Sequence, residues 1–194
     1  MKKKTPLFSV FGLLFLVSPV FSYAASWSLD SKASAISFVS VKKTNIAEAH
    51  SFSSFSGKIS DSGVATVAID TNSVKTGVDI RDQRMVEFLF KSVEFPHITI
   101  TSSALSLEKY ETGSSQIEPI SATLSLHGKE QEISMDVIVH AVSPSKLAVS
   151  TAKPVIVKAK DFGLSDGIAK LSSLVGDISI GTSVPVSFSL TFVK

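Results

Sequence analysis

The chain has 194 residues, 44% of them hydrophobic, with no cysteine and a formal charge of +2. Zero cysteines exclude disulfide scaffolds, thiol catalysis and thiolate metal sites together. Lys2, Lys3 and Lys4 are the whole charge of residues 1–24, and beyond them 16 basic and 17 acidic groups remain, so the net charge gives no basic footprint for nucleic acid or an acidic membrane surface.

The three lysines precede an apolar run, Leu7 to Phe21, and then Ser22-Tyr23-Ala24-Ala25. A basic start, a short apolar core and small residues at a cut site make a secretory leader. The expectation is a signal peptide over residues 1–24, cleaved after Ala24 or Ala25, with one domain over 25–194 in the periplasm. The run is interrupted by Ser9, Gly12, Ser18 and Pro19 and falls short of the ~20 residues of a span, so no transmembrane anchor is expected after processing.

From Trp27 onward most of the chain alternates apolar residues with serine, threonine or charge, the period of half-buried strands. Ser34 to Val41 carries Ile36 and Phe38 on one face, Asn45 to His50 reads as a connection, and Phe52 to Ile59 is a second strand. Asp61-Ser62-Gly63 turns the chain into Val64 to Asp70, with Val67 and Ile69 inward. The alternation then stops. Asp79 can cap a helical insertion near residues 79–91, with Met85, Phe88 and Leu89 on one face, and Pro96 forbids its continuation.

Period two resumes at Ile98 and Ile100, with a strand over Ile98 to Leu107 and a polar loop, Glu111 to Ser114. Ile120 to Leu126 follows and includes Leu124, then the turn His127-Gly128-Lys129, then Ile133, Met135, Val137 and Val139. A strand over Leu147 to Val157 is irregular at Pro154. Lys160 to Gly176 is a second break, with Asp166 capping a short helix near 166–175 that Gly176 closes. Val184, Val186, Phe188, Leu190 and Phe192 end the chain in clean alternation.

This pattern predicts an all-β antiparallel barrel of about eight strands, apolar inside and polar outside. Such a barrel encloses either packed side chains or one small ligand. An outer-membrane barrel shares the alternation but wears girdles of Trp and Tyr. One Trp and two Tyr against 13 Phe do not make a girdle. The residues expected to face a shared interior, and to bind any ligand held there, are Ile36, Phe38, Phe52, Phe55, Val67, Ile69, Met85, Phe88, Ile98, Ile100, Leu124, Met135, Val137, Phe162, Phe188 and Leu190.

Catalysis has no positive signal. His50, His97, His127 and His140 are dispersed, so no metal site is expected, and no serine sits in a nucleophile-elbow sequence. Arg81 and Arg84, the only arginines, can share a helix face and contact a polar head group at the mouth; their simpler role is pairing with Asp79, Asp82 or Glu87.

Several short pieces, in this order and spacing, resemble the YceI-like family over essentially the whole length after the leader. They are Trp27-Ser28-Leu29-Asp30, His50-Ser51-Phe52 with Phe55-Ser56-Gly57, Ile69-Asp70, Ser73 to Thr76, Arg81-Asp82, Phe88-Leu89-Phe90, Phe95-Pro96, Leu124 to Gly128, and Asp161 to Leu164. The resemblance implies a lipocalin-like eight-stranded barrel whose long interior binds a polyisoprenoid or another long-chain amphiphile, without a cofactor and without catalysis. Arg84-Met85 stands where many members have His-Leu, and Leu89 interrupts the usual Phe-Phe pair, so the head group does not transfer. Two rival readings stay open: a stress-protection or interaction module with the barrel as scaffold, and an enzyme using His50, Arg81 and Arg84 on a lipid head group. A homodimer is also left open.

Overall fold

The computed structural model describes residues 26–194; the expected leader lies outside the described residues. The strands are β1 (Trp27–Leu29), β2 (Ala35–Lys42), β3 (Ile46–Phe52), β4 (Phe55–Ile59), β5 (Ala65–Asp70), β6 (Val74–Lys75), β7 (His97–Ser102), β8 (Ser115–Leu126), β9 (Lys129–Ser143), β10 (Lys146–Thr151), β11 (Val155–Lys158) and β12 (Ser183–Val193). Two helices, α1 (Asp79–Arg84) and α2 (Ser165–Ser173), interrupt them.

Twelve strands make eight staves, because four staves are each broken into two: both halves of β1/β2 and of β10/β11 pair with β12, while the halves of β3/β4 pair with the matching halves of β1/β2 and β5/β6. β12 pairs with β1 through Phe192 and with β2 through Phe188, and on its other side with β10 and then β11. Likewise β4 pairs with β1 and β5, and β3 with β2 and β6. Every stave is antiparallel to its neighbour, and β12 on β1 and β2 closes the ring. Closure leaves no long edge, which is how such a chain avoids pairing with others.

The breaks have visible causes. Asp30 accepts from the backbone N–H groups of Lys32 and Ala33 and forms a single tight turn between β1 and β2. At the Ser53–Ser54 break, Ser53 N–H donates to Ser73 O and the Ser73 hydroxyl donates to Ser54 O and Asp70 O, so two adjacent staves bend together. Pro154 lies between β10 and β11, where no ladder donor is needed.

Residues 46–50 are strand, not connection. Their apolar alternation is missing because the inward positions are Glu48 and His50, opposite Ser40 and Phe38. At the other end of the range, the strand begun at His97 stops at Ser102 rather than Leu107, and Leu107–Lys109 is a single helical turn.

In an up-and-down barrel, successive connections alternate between the two ends. One end therefore collects residues 43–45, 76–96, 127–128 and 159–182, which include both helices. The other collects residues 60–64, 103–114 and 144–145 with Trp27 and Lys194. Both helical breaks in the sequence thus plug the same mouth.

The plug is bolted to the barrel. Thr71 N–H and its hydroxyl donate to Pro96 O at 3.0 Å, joining the start and end of the insertion. The Phe95 ring packs at a tilt against His127, centroids 4.5 Å apart, over the two-residue turn His127-Gly128, where both φ angles are positive. A side chain at Gly128 would strike the Phe95 ring at 2.7 Å. α1 follows Val78, with no side-chain cap from Asp79; Asp82 instead accepts from Thr76 N–H at 2.8 Å and from its hydroxyl. Asp166 likewise lies in the first turn of α2 without capping it, and Gly176 takes the left-handed conformation beyond its end.

Candidate functional site

The inward positions of all eight staves surround one cavity of about 210 Å³, measured as room for the centres of water-sized molecules. One water needs roughly 10–15 Å³ by that measure, so this is a chamber and not a packing defect. Its lining runs from Ile59, Ala65, Ser102 and Leu105 at the unplugged end to Leu89, Leu164 and Ile168 under the plug. Along β12 alone it touches Val184, Val186, Phe188, Leu190 and Phe192, nine residues or eight steps end to end. At ~3.3 Å per residue that is about 26 Å of strand. With the strand tilt usual in barrels it is about 20 Å along the axis. The hollow is long and narrow.

It is also without charge. Ser102 is the only polar residue of the lining, and its hydroxyl is already engaged, donating to Ser103 O and accepting from Ala65 N–H. What the chamber offers is desolvation of hydrocarbon along its length.

Of the residues expected to face the interior, Ile36, Phe38, Phe52, Val67, Ile69, Ile98, Ile100, Leu124, Met135, Val137, Phe188 and Leu190 line the cavity. Phe55, Met85, Phe88 and Phe162 do not. Met85 and Phe162 are buried elsewhere in the core, Phe55 packs half-buried against it, and Phe88 lies half-buried with Lys170 Nζ 5.5 Å from its ring centre.

The insertion accounts for two of these. After Arg84 the helix widens into one π turn over Met85–Leu89, in which Phe90 N–H donates to Met85 O at 2.9 Å. The extra residue in this turn rotates the chain beyond it, so Leu89 and Phe90 enter the cavity where α-helical spacing placed Phe88. Val149, Val155, Val157, Leu164 and Ile168 also line it. The period-two signal of Val155 and Val157 could have found the first three; the turn holding Leu164 carries no such signal.

Beyond Phe38 and Phe52, the inner face of the β2–β3 hairpin turns polar. Glu48 Oε2 accepts from Lys42 Nζ and from Arg81 Nη1, both at 2.8 Å, and Arg81 Nη2 donates to Thr76 O at 2.7 Å. Hydrogen bonding from Lys42, with the charge of Arg81, holds the Glu48 carboxyl below its ordinary range. His50, 4% exposed, shares a hydrogen bond with the Ser40 hydroxyl at 2.8 Å, while its Nδ1 has no partner among the described residues. Burial first, then the Arg81 charge, lower its pKa.

Arg81 is therefore pinned across the sheet by Glu48, not by Asp79, Asp82 or Glu87 on its own element. Arg84 makes no hydrogen bond or ion pair among the described residues, whereas Arg81 is held by Glu48 and Thr76. The rings of His50, Phe38, Phe52 and Phe90 follow one another at 5.1, 5.5 and 5.9 Å, an aromatic partition between polar hairpin and apolar chamber. Among the described residues, no three metal-ligating side chains gather.

A closed eight-stranded antiparallel barrel around one elongated apolar chamber defines a lipocalin-like protein. The chain belongs to the YceI-like domain family, whose model matches residues 27–192. A polyisoprenoid-binding domain from Saccharophagus degradans is 37% identical, with a TM-score of 0.83, over 86% of this chain and 97% of that one. BcnA of Burkholderia cenocepacia shares the fold at 22% identity, with a TM-score of 0.66, over 84% of this chain and 98% of that one. No curated protein matches the chain.

Proposed function

We propose that this protein binds one long-chain apolar lipid, a polyisoprenoid or a fatty-acid-like amphiphile, and carries or scavenges it in the periplasm without chemical change. The observation that carries this reading is the chamber itself, long, narrow and lined by hydrocarbon from every stave. Family membership and the polyisoprenoid-binding relative support the same ligand class. The basic, apolar, small-residue sequence of the first 25 residues supports export.

Each buried methylene contributes ~0.8 kcal/mol, so a dozen offer a gross ~10 kcal/mol before the cost of ordering the chain. No polar constellation is required for that; His50 is engaged by Ser40 and Arg81 by Glu48.

The test is native mass spectrometry and solvent extraction of protein purified without detergent. A bound long-chain species at up to one per chain is the expected result. Protein that arrives empty and takes up neither a prenyl nor an acyl chain of any length refutes the reading.

A further inference from the structure

Among the described residues, eight large aliphatic side chains are exposed, and they are unevenly placed. Ile46, Val78, Ile80, Val93 and Val175 all belong to the plugged end: the start of β3, the entry to α1, the segment after the π turn, and the segment after α2. Val93 is fully exposed. The other three, Ile117, Val142 and Ile156, stand singly on strand walls.

Exposed lysines precede four of these aliphatics in the chain: Lys43 before Ile46, Lys75 before Val78, Lys91 before Val93 and Lys170 before Val175. A lysine stem can lie along apolar surface while its ammonium group reaches outward to a phosphate. The rim as a whole is close to neutral, since residues 42–48, 75–96, 127–129 and 159–182 hold nine cations and eight acids. Long-range attraction to an acidic surface is therefore slight, and whatever seats on this end does so through its aliphatics.

We propose that the plugged rim is a docking surface for a phospholipid bilayer, through which cargo enters and leaves the chamber; this rests on the lipid-binding reading above. The side chains are aliphatic and dispersed over four segments, and among the described residues no large aromatic is exposed beside them to anchor a protein partner. Exposed aliphatics on short segments that also carry exposed lysines suit the boundary between head groups and acyl chains. The position agrees. Leu89 and Phe90 from the first insertion, and Leu164 and Ile168 from the second, form the chamber wall at this end, so the segments meeting the bilayer are those standing between it and the cargo.

Flotation with phosphatidylcholine vesicles, and with phosphatidylcholine/phosphatidylglycerol vesicles, tests this on the purified protein. The rim pair Ile80→Asp/Val93→Asp is compared with a wall pair, Ile117→Asp/Val142→Asp. Wild type and the wall pair are expected to float with both vesicles and to change little at high salt, because the rim is close to neutral. The rim pair should lose roughly tenfold in apparent affinity. Lipid loaded into each protein and counted by mass spectrometry reports separately on the chamber, and retention by the rim pair shows that it is folded. Wild type that holds lipid but does not float, or rim and wall pairs that float alike, overturns the docking surface and leaves the carrier intact. Flotation confined to phosphatidylglycerol vesicles and abolished by salt also overturns it, since charge would then seat the protein. Failure of every variant to hold lipid overturns the carrier. A wild-type dimer that the rim pair dissociates, seen by sedimentation without vesicles, likewise overturns docking, because the rim then faces a second copy.

Discussion

His50 and Glu48 occupy inward strand positions where most of the barrel uses apolar side chains, and their titration makes the arrangement measurable. Burial and Arg81 keep the folded imidazole below its ordinary value of 6.5, against the opposing charges of Glu48 and Asp82. Below about pH 6.5 the unfolded chain therefore binds a proton that the folded chain resists. Stability is complete above that pH and falls as pH drops toward the folded value. Glu48 acts in a separate window. Its folded pKa lies under 4.5, so its contribution is present above 4.5 and is lost as pH falls through the folded value. Urea unfolding at successive pH values should show both slopes. His50→Asn is expected to flatten only the upper one. Glu48→Gln should flatten the lower one and, by removing a charge that opposes the depression of His50, deepen the upper one; it should cost ~1 kcal/mol or less at neutral pH because the ion pairs are partly solvated. An upper slope unchanged in His50→Asn would reject this account of the histidine.

The insertion is held at a spacing that one glycine sets. Gly167 of α2 faces the π turn, and a Cβ there would stand 2.6 Å from Phe88 O and 2.9 Å from Leu89 Cα, both backbone atoms that cannot rotate aside. Gly167→Ala should push the two plug elements apart and destabilise the protein by ~1–3 kcal/mol, although alanine is the better helix former. Hydrogen exchange should quicken over residues 79–92 before it changes in β8 or β9. Uniform exchange with unchanged stability would mean that the elements are not in contact at this point. The same element shows where sequence reading stops. The existence of a helix near 79–91 is legible from the lapse in alternation and from Pro96. Its inward face is not, because a π turn adds one residue to the period and puts Phe90 where Phe88 is expected. Residues 46–50 hide their strand for a related reason: Glu48 and His50 point inward, so polarity erases the period-two signal.

At the scale of the molecule, the barrel is legible because strict alternation over Val184 to Phe192 and Ile120 to Leu126 permits only one buried face. The hollow is not, because unfilled volume depends on how many staves close the ring and at what stagger, which no single strand encodes. Ala122 distinguishes a chamber from a core. It lies on β8, 2% exposed, and its methyl borders the cavity. In a packed interior, Ala122→Phe would overpack neighbours and cost ~1–3 kcal/mol. In a chamber the ring occupies empty space, and the protein without lipid should be as stable as wild type or more so, since each cubic ångström of cavity removed returns about 24 cal/mol. The lipid must then compete with the ring. For wild type, a lipid at a hundred times its Kd adds about 2.7 kcal/mol of stability. That corresponds to a rise of roughly 5–10 °C in Tm for a chain of this size. In Ala122→Phe the rise should shrink to a few degrees or vanish while the lipid-free Tm holds. Thermal scans of both proteins, delipidated and reloaded, read the two effects separately. A lipid-free Tm that falls in the variant would place the ring among atoms and not in a void.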